Sequence, residues 1–409
     1  MNGIFDVTEK PLFDNSIVDL QFHTHQSNTS TFNYNDEMRI AVEGDRLTLP
    51  SLSHIYIEGR VVKEDGTPSK TVKFINNGLA HLFSEIRYEI NGIPIDTTTK
   101  VGITSFIKGL LSFTPSQMNR LQNAGWYAPD QTKPLPRNED GSFNACIPLS
   151  TLLGFAEDYK KAILNIRQEL VLIRSNTDNN CLFNTDDGIK ADKSNKIFID
   201  KLYWRIPHVV GNLKKELAVA KYTEKNVDTP VKFRSWELHT LTGLPQTKNH
   251  SWNIKSVRKS QSPSYVILAF QRNREDKLDK YNHNFDHCNI NNIRVYLNSI
   301  KYPYDNLNLD FTKYQISTLY EMYADFQHSY YDIEPEPYLS LEKFKEDCPI
   351  MVIDTSKQPE NIAYQTQSIN VRVEFDTNSN IAENTIVYCL LLYEREFAYN
   401  ALTKYVKQL

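Results

Sequence analysis

Two stretches of this 409-residue chain spell nearly the same strand–turn–strand unit, and that duplication constrains the fold more than any other feature. Ile86-Arg87-Tyr88-Glu89-Ile90-Asn91-Gly92-Ile93 matches Ile293-Arg294-Val295-Tyr296-Leu297-Asn298-Ser299-Ile300, an offset of 293 − 86 = 207. Upstream, Ser51-Leu52-Ser53-His54-Ile55-Tyr56-Ile57 resembles Ser262-Pro263-Ser264-Tyr265-Val266-Ile267-Leu268, an offset of 262 − 51 = 211. A helical segment follows each copy of the first unit, and each half closes on a β-rich run, 197–206 and 385–393. Three matches in one order point to two copies of one topology. At roughly 150–200 residues per domain, the length holds two cores.

The repeated unit reads as a hairpin. Asn91-Gly92 joins two alternating runs, and both central residues of a type I′ turn need positive φ. Further strands in the first half fall near 17–25, 37–43, 54–62, 85–90, 93–97, 165–174 and 197–206, most alternating apolar with polar residues. Helices are expected only at 103–113, 115–124, 149–164 and 315–328, and 175–195 and 329–343 read as long surface loops. With 23 Tyr and 20 Phe, the composition suits pleated, half-buried surfaces. The expected class is all-β, of sandwich or barrel type, with short helices in the connections. The expected division is an arm at 1–16, a first domain at 17–210, a linker at 211–228, a second domain at 229–397 and a C-terminal arm at 398–409.

Charge argues against a nucleic-acid grip. The formal net charge is −4, and Lys10 is the single basic residue in the first 38, against Asp6, Glu9, Asp14, Asp19, Asp36 and Glu37. Cys146, Cys181, Cys288, Cys348 and Cys389 are odd in number and lack any CxxC pair, so neither a disulfide framework nor a zinc site is expected. The start, MNGIFDVTEK, lacks a charged region followed by an apolar stretch, so no secretion signal is expected, and the longest apolar run, Ile386 to Tyr393, is far below the ~20 residues that span a bilayer.

Chemical motifs are sparse. His23 and His25 share one face of a strand but have no third ligand nearby in sequence. His283, His287 and Cys288 lack a partner pair, and Asp186-Asp187-Gly188 and Asn176 to Asn180 lack the alternating spacing of a calcium loop. GxSxG, GxGxxG and GxxxxGK[ST] are absent. Glu157-Asp158 and the pair Glu334 and Glu336 are carboxylates that sequence cannot place across a cleft. Tyr302 with Tyr304, and Tyr330 with Tyr331, suit a core or an interface better than a sugar site. No catalytic, cofactor-binding or metal residue is therefore expected, and no cofactor. The apolar stretches 110–113, 150–155 and 398–406 look too long for their own strands and are expected at subunit interfaces.

LPSLSHIYIEGRV (49–61), LFSEIRYEINGIPID (82–96), IPLSTLLGFAEDYKKAILNIRQELVLIRS (147–175), KLYWRIPHV (201–209), SPSYVILAFQRNR (262–274), FDHCNINNIRVYLNSIKYPYDNLNLDF (285–311) and TIVYCLLLYEREFAYN (385–400) span nearly the whole chain. In these the chain resembles the double jelly-roll major capsid proteins of the Polinton/Maverick and adintovirus kind, including transposon-derived relatives in invertebrate genomes. The resemblance implies two consecutive eight-stranded jelly rolls and homotrimeric, pseudo-hexagonal capsomers that tile the icosahedral shell of a DNA virus or virus-like transposon. Implied partners are the chain itself, neighbouring capsomers, a vertex (penton) protein, minor capsid proteins and an internal membrane, with location in the virion. The terminal segments 1–16 and 398–409 are expected to reach neighbouring subunits. The alternatives are a minor or vertex capsid protein, and a carbohydrate-active enzyme or binding module on paired jelly rolls. A cleft with perturbed carboxylates is the mark of the enzyme.

Overall fold

The computed structural model describes residues 17–44, 46–128, 135–185, 195–255, 261–358 and 369–409. The segment 1–16 and Asp186-Asp187-Gly188 lie outside the described residues. The hairpin of the repeated unit is formed as its sequence requires. Ile90 stands opposite Ile93, and Asn91 and Gly92 have φ of 48° and 78°. Gly92→Ala, with open space around the missing Cβ, carries only the cost of a left-handed backbone, about 1 kcal/mol. It should lower the urea midpoint without changing the slope. In the second copy Leu297 faces Ile300 across Asn298-Ser299, and Asn298 takes the positive φ, 55°.

The strands of the first half are β1 (Ile17–Gln26), β2 (Glu37–Val42), β3 (Leu47–Thr48), β4 (His54–Val62), β5 (Val72–Phe74), β6 (Phe83–Ile90), β7 (Ile93–Thr99), β8 (Ser142–Pro148), β9 (Gln168–Arg174), β10 (Leu182–Asn184) and β11 (Lys196–Gly211). The second half holds β12 (Asp228–Leu241), β13 (Asn249–Ile254), β14 (Tyr265–Arg272), β15 (Ile290–Leu297), β16 (Ile300–Tyr302), β17 (Ile350–Asp354), β18 (Val371–Thr377), β19 (Thr385–Asn400) and β20 (Val406–Gln408). The helices are α1 (Val101–Ser112), α2 (Met118–Leu121), α3 (Leu149–Leu152), α4 (Gly154–Asp158), α5 (Leu213–Glu224), α6 (Ser317–Ala324), α7 (Phe326–Tyr331) and α8 (Leu341–Glu346).

Strand order repeats between the halves. The first half pairs β1-β11-β4-β8 in one sheet and β2-β9-β6-β7 in another; the second pairs β12-β19-β14-β17 and β13-β18-β15-β16. Numbering the eight main strands of each half in chain order gives 1-8-3-6 and 2-7-4-5 both times, the jelly-roll order in antiparallel sheets. Alternating burial along β2, β4 and β18 turns one face of each strand inward. Tyr88 meets Trp204 edge-on across the first sandwich, at 6.2 Å between ring centroids. Phe270 and Phe375 do the same across the second, at 5.1 Å. The solvent face of β2-β9-β6-β7 carries cross-strand ion pairs, among them Arg39 with Glu169 and Arg87 with Glu37, and Arg294 with Asp376 repeats the device on β15 and β18.

Several local expectations are corrected. The helix expected over 149–164 is α3 and α4, broken at Leu153 in extended conformation (φ −125°, ψ 133°). The expected strand 165–174 starts only at Gln168. Segment 115–124 is a chain of single helical turns around α2. The expected loop 175–195 contains β10, which pairs with β5 and buries Cys181 and Leu182. The stretch 211–228 holds α5. Residues 398–409, expected as an arm, complete β19 and form β20, which folds back onto β19.

Candidate assembly surfaces

The two sandwiches meet along α4, β7 and β12. They are tightly apposed at Gly154, where a Cβ would lie 1.9 Å from the carbonyl oxygen of Arg234. Only glycine lets helix and strand touch there. Beside it the Arg234 guanidinium grips Asp158 with Nε and Nη2, at 2.9 and 2.8 Å, and lies over the Tyr330 ring. Lys108, buried on α1, pairs with Glu157 at 2.9 Å. Glu157 also accepts from the Tyr331 hydroxyl at 2.9 Å, and that hydroxyl contacts the Ser112 hydroxyl at 2.7 Å. Tyr323 donates to the Leu110 carbonyl at 3.0 Å. Each of these bonds joins the first half to the second or braces the joint.

A cleft of about 800 Å³ opens beside this joint and includes Glu157, Asp158, Lys160 and Arg120. Burial alone would raise the Asp158 carboxyl, but the Arg234 hydrogen bonds and charge outweigh it and hold the group below its ordinary value. Glu157 is tied to Lys108 and Tyr331. An Asp158 carboxylate so neutralised holds two elements together and lacks the raised proton affinity of a general acid. Glu334 and Glu336 are both exposed.

The other residues singled out in the sequence disperse. His208 brings a third imidazole to His23 and His25, 183 residues from His25 in sequence. His23 stacks on it at 4.1 Å between centroids, and the His25 and His208 Nε2 atoms are 3.4 Å apart. His283 meets the edge of Phe106, and burial lowers it to about 3. His287 stacks on Phe311, and burial pushes Cys288 up to about 12. Among the described residues no group of three or more His, Cys, Asp or Glu is placed to hold a metal ion, and no helix is long and apolar enough to cross a membrane. All five cysteines are free thiols. Tyr330 and Tyr331 belong to the joint, and Tyr304 is exposed.

The apolar stretches expected at subunit interfaces are corrected for 110–113 and 150–155, whereas in 398–406 Leu402 and Tyr405 stay exposed, at 52% and 63%. Leu110, Leu111, Leu152, Leu153, Phe155 and Tyr399 are buried inside the chain, because the two sandwiches consume them against each other. Apolar surface remains elsewhere. β1 is open to solvent along most of its length, with Val18 67% exposed. Leu213 and Leu217 of α5 are 72% and 53% exposed. The sequence shows little sign of α5 because its apolar residues are few and none of them is fully buried.

A family model described as the double jelly roll-like domain matches residues 72–397. Among solved structures, the Faustovirus major capsid protein matches with TM-score 0.61 at 10% identity, covering 96% of this chain and 93% of that one. The mavirus major capsid protein matches with TM-score 0.57 at 12% identity, over 100% and 93%. A chain of the PBCV-1 virus capsid matches with TM-score 0.58 at 8% identity, over 98% and 99%. At such identities the likeness is one of fold. No curated protein matches the chain by sequence. The repeated strand order, the glycine-tight joint and the family match over most of the chain agree, and the chain belongs to the double jelly roll-like domain family.

Proposed function

We propose that this protein is a major capsid protein that assembles as a homotrimer, tiling the icosahedral shell of a double-stranded DNA virus or a virus-like element of the Polinton and adintovirus kind. The observation that carries the reading is the joint between two sandwiches of one strand order. Two such units fixed as one body let three chains present six similar blocks, the outline of a pseudo-hexagon. The likeness in fold to capsid proteins of Faustovirus, mavirus and PBCV-1 supports it. The division is a first roll at 17–210, a linker at 211–228 that carries α5, and a second roll from 229 whose last long strand, β19, runs to Asn400.

Function in this reading is burial of surface between copies. The ion-paired outer sheets suit weaker, polar contacts between capsomers, and the apolar surfaces suit contacts within one. Vertex and minor proteins complete the shell, and the acidic balance suits a shell that leaves nucleic acid ungripped. The ion-paired Glu157 and Asp158 count against hydrolysis in the cleft. Light scattering of the purified protein should give about three times the 47.5 kDa chain mass; a monomer at micromolar concentration would rule out the trimeric capsomer.

A further inference from the structure

With the described residues in place, no side chain of α5 is buried. Twelve residues make a marginal helix in water, so a helix with this little support needs packing from elsewhere. Its half-buried side is Val219, Tyr222 and Thr223, with the Tyr222 hydroxyl 3.3 Å from that of Thr229. The opposite side carries Leu213, Leu217 and Ala220 at helical spacing, pointing away from the body. Glu224 ends this stripe, which confines a contact to the first two turns. Exposed Ile17, Val210 and Val227 extend the apolar surface at the two ends of the helix, since Ile17 pairs with Gly211 just before α5 and Val227 lies just after it.

Charge decides what the stripe meets. Glu216 lies on one flank, and Lys214 and Lys221 lie on the other, all exposed. In an antiparallel two-fold pair, like flanks face each other, and Glu216 would meet Glu216. In copies related by rotation about an axis along the helix, each left flank meets the next right flank. Glu216 then reaches Lys221 of its neighbour, five positions on, the pairing of parallel helices. We infer that α5 docks against α5 of further copies of this chain, in parallel around the capsomer axis, with Leu213, Leu217 and Ala220 innermost. This rests on the trimeric reading above and names the residues that meet at its axis.

The test compares the parent with the Leu213→Ser/Leu217→Ser variant by light scattering over a dilution series. Both leucines are exposed, so the monomer keeps its thermal stability. Association should weaken by roughly tenfold or more. Glu216→Lys and Lys221→Glu should each weaken the trimer, and the double reversal should restore it. Ala220→Cys should form interchain disulfides on mild oxidation, beyond the parent's own background. Variants that stay fully trimeric, without cross-linking at position 220, would overturn the α5 contact and leave the capsid reading standing. Unchanged mass with a less stable chain would assign the stripe to another segment of the same chain, which also overturns it. A monomeric parent would overturn both.

Discussion

Gly154→Ala is expected to destabilise the protein by about 3 kcal/mol and to loosen the joint between the two sandwiches, although it adds one methyl group. The added Cβ would sit 1.9 Å from the Arg234 carbonyl oxygen and 3.3 Å from Trp236 Cδ1. The first neighbour is main chain of β12, which cannot turn aside as a side chain would. Either α4 or β12 must retreat, and the hydrogen bonds around Asp158 and Arg234 go with it. Overpacking of a filled interior costs about 1–3 kcal/mol, and a backbone collision lies at the upper end. Calorimetry should show the single transition of the parent split or broadened, as expected when two cores lose their coupling. A variant that melts like the parent would contradict the tight joint at Gly154.

Asp178→Ala should be at least as damaging, at about 3–5 kcal/mol. Asp178 and Arg174 form an ion pair in which each side chain is only 1% exposed. The other Asp178 oxygen accepts from the Ile197 amide at 2.8 Å and from the Tyr34 hydroxyl at 2.9 Å, so one carboxylate ties β9 to β11 and to the connection before β2. Removing it strands a guanidinium whose remaining bonds reach the Leu82 and Ile197 carbonyls. The double change Arg174→Met/Asp178→Leu removes both charges and should cost less than the single one. Urea titration of the three proteins decides it, and a single variant no worse than the double would contradict this account of the pair.

The strand order was legible where the signal is local. Asn91-Gly92 marks its own hairpin, because the residues that make the turn are the residues that need the left-handed backbone. The offsets near 207 and 211 pair β6 with β15 and β4 with β14, and the two strand orders repeat accordingly. What stayed hidden depends on groups far apart in sequence. The break at Leu153 exists because Gly154 must reach Arg234, a contact across 80 positions (234 − 154). Leu110 and Phe155 looked like subunit interface because apolar spacing is the same whether the covering surface belongs to the same chain or to another. His208 joins His23 and His25 only through the pairing of β1 with β11. Helix α5 carries too weak an apolar pattern to stand out from a charged linker, and only its exposure in the fold makes Leu213 and Leu217 conspicuous.

Electron microscopy of the purified protein tests the central claim most directly. The account predicts single particles of three chains with a pseudo-hexagonal outline of six similar blocks, or shells tiled by them. Isolated two-lobed monomers across the concentration range, or five-fold rings, would contradict it.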